Sequence, residues 1–218
     1  MVMASMPKRR KTDELDEVET ILLRDDVKQI KNIVLDFKET KKFDELKTKL
    51  NKYPRLAVTL MSVLWKCSLQ SFDDQQVPKI MLKVKKHKLE PQWLQILNDV
   101  LCILTNIYGK MPYFCGELAE SPGNFANITV RLLECGPKIS LEAKCEVFRL
   151  ISSIATNQRC LEMITENTHL VDRIAMAIDH EVDEVAKVAL QTASALSVNK
   201  NGIKCRLFMD LKSKTICG

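Results

Sequence analysis

Hydrophobic residues recur at steps of three and four positions along most of this chain, with polar residues between them. The first such stripe consists of Leu23, Val27, Ile30, Ile33, Val34 and Phe37. After a short break, Phe43, Leu46 and Leu50 continue the same spacing. Steps of three and four bring side chains to one face of an α-helix. The sequence therefore predicts helices, which begin close to Val18.

Four segments further along the chain resemble one another. They are Thr59–Leu69, Asp99–Glu117, Glu146–Glu166 and Val188–Phe208. Each is an apolar helix that meets a short polar break, and the last three continue into a second apolar helix. The matched positions Leu64, Leu104, Ile151 and Ala193 are 40, 47 and 42 residues apart. This spacing lies in the range of about 40–47 residues that armadillo and HEAT repeats occupy.

Few residues in this chain favour turns. It contains 6 glycines and 7 prolines in 218 residues, whereas strand-rich folds need a turn about every 8–12 residues. We therefore predict an all-α fold, a short right-handed armadillo-like superhelical solenoid of about four repeats, preceded by an N-terminal helical segment.

Changes of pattern along the chain predict three parts. Residues 1–16 carry almost no apolar periodicity and are expected to be a disordered tail, basic and then acidic. Residues 17–53 form the N-terminal helical segment, and residues 54–218 form the armadillo-like repeat domain. The tail contains the basic run Lys8, Arg9, Arg10 and Lys11 after Pro7. Nuclear import receptors read such runs, so we expect a nuclear protein, with a cytoplasmic pool also allowed.

The lengths of the apolar runs and the spacing of the cysteines indicate which cell compartment to expect. No run approaches the ~18 apolar residues of a membrane span, so no membrane association is expected. The eight cysteines have irregular spacings and include no CxxC pair. Most lie in apolar helical stretches, where a thiol behaves as a small hydrophobic group. We expect them to be reduced core residues rather than a disulfide framework.

The chain offers little that could catalyse a reaction. His87 lies in a lysine run, and neither His169 nor His180 stands at metal-ligand spacing from a cysteine. No nucleophile, phosphate-binding or zinc motif occurs. Cys160 and His169 could be imagined as a nucleophile and base, but Cys160 lies on an apolar helix and a structural thiol is favoured. We expect no catalytic residues, no metal and no cofactor.

A lysine cluster is the best candidate for binding nucleic acid. Lys79, Lys83 and Lys86 would share one helical face, and phosphates favour such a stripe. A single nearby aromatic residue, Trp93, and the lack of arginine in the run weaken this interpretation. A solvated face and a surface for an acidic protein partner stay open beside it.

Three asparagines lie near the ends of long predicted helices: Asn106, Asn157 and Asn199. A side-chain amide both donates and accepts hydrogen bonds, so it can hold the backbone of an extended peptide. Asparagine also favours the C-terminal caps of helices, which is the structural alternative for Asn157 and Asn199. We expect a partner-binding groove that includes these asparagines and Arg149.

Three stretches resemble the third-helix signature of the armadillo family. They read LCILTNIYG, RLISSIATN and TASALSVNKN, and the resemblance covers roughly residues 55–211. Armadillo proteins often clamp an extended peptide with asparagines on this helix, which is what the resemblance implies for Asn106. Import receptors of the family carry a tryptophan four residues before the asparagine, where this chain has Cys102. The departure argues against an import-receptor role.

A further resemblance is to the armadillo domain of the family of the meiotic heat shock factor two binding protein. It rests on Leu64–Ser68, on the helix that ends at Thr105-Asn106, on Tyr113–Leu118 leading into Ile128–Leu133, and on Glu142–Lys144. That family dimerises through its armadillo domain and binds a recombination mediator. The resemblance implies a nuclear adaptor in meiotic or DNA-repair recombination.

The expected function is therefore that of a non-enzymatic nuclear scaffold or adaptor, which binds an extended peptide or a helix of a protein partner. A nucleic-acid- or chromatin-associated protein that uses the lysine stripe is the alternative. A homodimer is also expected, because a short repeat array needs covered ends. The last predicted helix, Ile203–Leu211, is followed by few residues that could cover its end.

Overall fold

The computed structural model of this chain describes residues 17–24, 26–40, 42–70, 91–115, 118, 124–134 and 139–197. Within these residues the chain forms ten α-helices and no β-strand. The helices are α1 (Glu17–Leu23), α2 (Val27–Glu39), α3 (Phe43–Lys52), α4 (Leu56–Gln70), α5 (Pro91–Lys110), α6 (Asn124–Glu134), α7 (Leu141–Ile154), α8 (Gln158–Glu166), α9 (Thr168–His180) and α10 (Asp183–Ser197). A short 3-10 turn, Pro112–Phe114, follows α5. The predicted all-helical fold is confirmed for the described residues.

Polar side chains mark where several helices begin. Side-chain oxygen atoms of Asp26, Ser140, Asn157 and Asn167 accept hydrogen bonds from backbone N–H groups in the first turns of α2, α7, α8 and α9. The first N–H groups of a helix have no partner within it, so such caps stabilise a helix by about 1 kcal/mol each. The sequence thus fixes these starts locally.

The helices contact one another in two rows. In the first row, α1 contacts α4, α4 contacts α6, and α6 contacts α9. In the second row, α2 contacts α5, α5 contacts α7, and α7 contacts α10. Each first-row helix also contacts the second-row helix that directly follows it in the chain. These pairs are α1 with α2, α4 with α5, α6 with α7, and α9 with α10. Helix α3, the 3-10 turn and α8 each lie between a second-row helix and the following first-row helix.

One continuous hydrophobic core joins the two rows. It extends from Leu22 in α1 to Leu196 in α10, and Tyr108, Phe125 and Phe148 are its largest fully buried side chains. Full burial of a large apolar side chain stabilises the fold by about 1.5–3 kcal/mol. Helices on both sides of the predicted boundary between residues 53 and 54 contribute to this core.

Helices α1 and α4 cap each other across a long stretch of sequence. Glu19, whose side chain is buried, accepts a hydrogen bond at 2.8 Å from the backbone N–H of Arg55, just before α4. In return, Lys66 Nζ of α4 donates to the carbonyl oxygens of Leu23 and Arg24 at 2.6 and 2.9 Å, at the end of α1. The two helices therefore satisfy backbone groups that neither can satisfy alone.

A buried hydroxyl group connects α7 and α10. Thr192 Oγ1 donates to the carbonyl oxygen of Phe148 at 3.0 Å and lies 2.9 Å from Ser152 Oγ. Hydroxyl groups in the core need such partners, because burial without a hydrogen bond is costly. The contact aligns the last two second-row helices.

The two rows change how the four similar segments correspond. Leu104, Ile151 and Ala193 lie on α5, α7 and α10, which are all second-row helices. Leu64 lies on α4, in the first row. The helix that precedes α5 in the second row is α2. Residues 27–39 therefore occupy the second-row position that the repeat spacing had assigned to Thr59–Leu69. Apolar periodicity alone does not separate the two rows, because both are buried on one side.

The thiol groups follow the prediction in the part of the chain that is described. Cys67, Cys115, Cys145 and Cys160 are buried and unpaired by disulfides, and Cys102 is half-buried. The Cys160 thiol donates to the carbonyl oxygen of Cys115 at 3.1 Å. Burial raises the pKa of the Cys67 thiol well above its ordinary value. Cys135, Cys205 and Cys217 lie outside the described residues.

We expect Glu19→Ala to lower the free energy of unfolding by about 1–3 kcal/mol, because the backbone N–H of Arg55 would lose its acceptor, the buried Glu19 carboxylate. Glu17→Ala, an exposed carboxylate on the same helix, is the matched control and should change it by less than about 0.5 kcal/mol. Urea denaturation followed by circular dichroism measures both. Equal effects of the two substitutions would contradict the mutual capping of α1 and α4.

Candidate partner-binding face

Polar and charged side chains of the described second row lie on the outward side of α5 and α7. The two helices approach closely: a Cβ atom placed on Gly109 would lie 3.6 Å from Ser153 Oγ. Side chains four and seven residues before each of these positions share the same helical side. This side includes Cys102 on α5 and Glu146 on α7, which are both half-buried. We call the outward side of α5 and α7, with the adjacent Lys38, the second-row face.

An ion pair connects α2 to this face. Lys38 Nζ lies 2.5 Å from Asp99 Oδ1, and the Asp99 side chain is 2% exposed whereas that of Lys38 is 46% exposed. The hydrogen bond to Asp99 raises the pKa of Lys38. A carboxylate this deeply buried requires a cation or several donors close by. Lys38 therefore both neutralises Asp99 and aligns α2 with α5.

Cys102 lies among charged groups on the face. Burial, and after it the carboxylate of Glu146, raises the pKa of its thiol to about 11. The carboxylates of Asp99 and Glu142 contribute to this raised pKa, and the ammonium group of Lys38 opposes the rise. The thiol therefore stays protonated near neutral pH, which argues against Cys102 as a nucleophile. Cys102 lies instead in a partly desolvated region where the nearby carboxylates affect the pKa of its thiol more than the nearby cation does.

Arg149 and Glu146 form an ion pair on α7, one turn apart. The hydrogen bond that Arg149 donates to Glu146 raises the pKa of Arg149, whose side chain is exposed. The carboxylate of Glu142, one turn earlier, makes no hydrogen bond or ion pair with any described residue. The face thus contains the exposed guanidinium of Arg149, which Glu146 orients, and the carboxylate of Glu142, which has no partner among the described residues.

Three buried oxygen atoms on α5 have no hydrogen-bond partner within the described structure. They are Asn98 Oδ1, Asp99 Oδ2 and Thr105 Oγ1. Leaving such an atom unpaired costs about 1–3 kcal/mol, and unpaired polar groups are uncommon in native proteins. All three residues lie within an arc of about 120° on the helix, at 100° per residue. The arc spans the second-row face.

Two of the predicted partner-binding residues lie on adjacent second-row helices. Asn106 is half-buried on α5, one turn after Cys102, and Arg149 is exposed on the adjacent α7. Asn157 lies elsewhere: it is the N-cap of α8, and its Oδ1 accepts from the N–H groups of Arg159 and Cys160 at 3.0 and 3.3 Å. Asn157 therefore begins the next helix, whereas a C-terminal cap had been the structural alternative.

The other predicted site residues lie outside the described residues. They are the partner-binding Asn199, the basic patch Lys79, Lys83 and Lys86, and the nuclear-localisation run Lys8, Arg9, Arg10 and Lys11. The whole of the predicted 1–16 tail and the predicted helix 203–211 belong to the same group.

Sequence reasoning missed the ion pair at the centre of the face. Asp99 stands among apolar residues of α5, where a carboxylate at a core position is a signal that it has a buried partner. That partner, Lys38, lies 61 residues away, and no local pattern connects the two. Glu146 was likewise hidden, because charged residues at helical spacing usually mark a solvated face.

Neither metal-ligand groups nor helices able to span a membrane are found among the described residues. No group of three or more His, Cys, Asp or Glu side chains there could hold a metal ion. None of the described helices combines the length and apolar character that crossing a lipid bilayer requires. Comparisons with protein-family models, with curated proteins and with solved structures return no match to this chain.

We expect Lys38→Met to destabilise the protein by about 1–3 kcal/mol at pH 7, because buried Asp99 would lose its cation. The pKa of Lys38 is raised in the folded state, so its stabilisation is complete below the ordinary value of 10.5 and is lost as the pH rises through the folded pKa. The difference from the unmodified chain should therefore narrow at strongly alkaline pH. Urea denaturation at pH 7 and 11 measures this, with exposed Lys28→Met as the control.

We expect iodoacetamide to modify Cys102 slowly at pH 8, where roughly one thiol in a thousand is ionised at a pKa of about 11. The rate should rise with pH up to that value. Glu146→Gln should accelerate the reaction by lowering the pKa, whereas Glu162→Gln on α8 should not. Mass spectrometry of the peptide that contains Cys102 measures the rate, and fast modification of the unmodified chain at pH 8 would contradict the described burial.

Proposed function

We propose that the helices form an armadillo-like right-handed superhelix. The two rows of contacts support this proposal, because each row repeats one type of helix neighbour along the chain. The short elements α3, Pro112–Phe114 and α8 recur before each new first-row helix, which gives three helical elements per unit. Stacked repeats of this kind present one row of helices as an extended binding surface.

We further propose that the protein is a non-enzymatic scaffold or adaptor, which binds a partner protein on the second-row face. The observation that carries this proposal is the placement of half-buried Asn106 and exposed Arg149 on two adjacent second-row helices, α5 and α7. The asparagine amide both donates and accepts hydrogen bonds, and the guanidinium donates several, so the two groups can hold a peptide backbone. Asn199 belongs to this proposed site by its place in the repeat pattern.

The proposed setting is the nucleus, on the strength of the basic run Lys8–Lys11. The resemblance to the family of the meiotic heat shock factor two binding protein supports a role in recombination. It also supports a homodimer, which light scattering of the purified chain would test. A mass equal to one chain at all concentrations would remove the homodimer from the proposal.

Affinity purification of the tagged chain from nuclear extract, with and without nuclease, tests the function. Arg149→Glu should deplete the specific partners several-fold, whereas Arg159→Glu, an exposed arginine on α8, should retain them. Partners that persist after nuclease treatment and depend on Arg149 support the adaptor. Loss of all partners after nuclease treatment, or in a Lys79/Lys83/Lys86→Glu variant, would favour the nucleic-acid-binding alternative.

We expect Asn106→Ala to weaken the identified partner about tenfold, since one lost hydrogen bond of about 1.4 kcal/mol corresponds to that factor. Asn127→Ala removes an exposed asparagine from the first-row helix α6 and is the matched control. Isothermal titration calorimetry with purified partner measures both affinities. Unchanged binding by Asn106→Ala would exclude this side chain as a clamp while leaving the adaptor role open.

A further inference from the structure

A pocket of about 100 Å³ lies between α6, α7 and α9, away from the second-row face. Its apolar wall consists of Leu133, Phe148, Met176 and Ala177, and its polar wall consists of Lys144, Arg173 and Glu181. A water molecule occupies about 30 Å³, so the pocket has room for roughly three waters or for a short branched aliphatic group.

Lys144 gives this pocket its chemistry. Its side chain is 8% exposed, and its ammonium group contacts Glu181 Oε1 at 2.6 Å. Glu181 itself is the residue after the last turn of α9, where its backbone N–H bonds to the carbonyl oxygen of Ala177. An ammonium group has three N–H donors, and the described structure supplies an acceptor for one of them. A buried cation with unused donors requires further acceptors in the pocket.

Arg173 supplies a second set of donors at the pocket mouth. Its Nη2 donates to Glu134 Oε1 at 2.7 Å, while Nη1 has only the distant sulfur of Met176 at 3.9 Å. A guanidinium carries five N–H groups and binds carboxylates in a bidentate manner. The pocket lining thus contains two cations, Lys144 and Arg173, and one anion, Glu181.

We propose that this pocket binds a compact carboxylate with a short apolar body. The carboxylate would accept hydrogen bonds from Lys144 and Arg173, and the apolar body would contact Phe148, Met176 and Ala177. Each cation already has one carboxylate partner, Glu181 for Lys144 and Glu134 for Arg173, so the ligand would bind to their remaining N–H donors. The volume limits the apolar body to about three or four carbon atoms. A free short-chain acid and an acidic side chain of a partner protein share this chemistry.

The full chain is titrated with isobutyrate by NMR and by thermal shift, with isobutyramide as the neutral analogue of the same shape. We expect a dissociation constant on the order of 1 mM for isobutyrate, as suits six non-hydrogen atoms, and at least tenfold weaker binding of isobutyramide. N-acetyl-aspartate amide is the third probe. Tighter binding of this compound than of isobutyrate identifies a protein side chain as the source, and the reverse identifies a free acid.

Two variants test the pocket without removing its buried ion pair. Ala177→Leu fills the apolar wall, and Arg173→Gln removes one cation; each should weaken isobutyrate at least tenfold. Arg159→Gln, an exposed arginine on α8, should leave binding unchanged. Equal affinity for isobutyrate and isobutyramide would overturn the proposal, because the donors would then be unused. Absence of any saturable binding would overturn it too and leave a hydrated pocket.

Discussion

The structure depends on one constraint, which is that each long helix has too broad an apolar surface to be covered by a single neighbour. Helix α5 shows this most clearly: it is covered by α4 behind it, by α2 on one side and by α7 on the other. A helix buried on three sides needs an array rather than a pair. Among the described residues, one side of α5 and α7 is left without a covering helix, and Cys102, Asn106, Glu146 and Arg149 lie there half-buried or exposed.

The uncovered side is not an ordinary solvated surface. Asp99 is almost completely buried and depends on Lys38 from the adjacent helix, while Asn98 and Thr105 keep oxygen atoms without partners. If stability were the only requirement at this surface, we would expect the polar side chains of Asp99, Asn98 and Thr105 to be hydrated or fully hydrogen-bonded. Arrangements that cost stability without an evident structural return are typical of functional sites.

The helical class and several helix starts could be predicted from the sequence, because apolar steps of three and four and capping residues such as Ser140 act locally. The order of helices within the rows could not. Leu64 and Leu104 have the same local pattern, yet they lie in different rows. The Lys38–Asp99 and Lys144–Glu181 pairs join residues 61 and 37 positions apart. Such pairs depend on how the helices stack, and only three-dimensional coordinates bring their partners together.

The mutual capping of α1 and α4 has a consequence for how the chain is made. Synthesis on the ribosome releases α1 first, so the carboxylate of Glu19 is already present when Arg55 emerges, and the start of α4 can be completed at once. Domains generally fold from the N-terminal end during synthesis, and each later helix can then add to a finished edge. A fragment that began at residue 54 would lack both the acceptor for Arg55 and the carbonyl groups that hold Lys66. The seven-residue helix α1 thus supplies groups that the start of α4 needs, and it does so before the rest of the array has been synthesised.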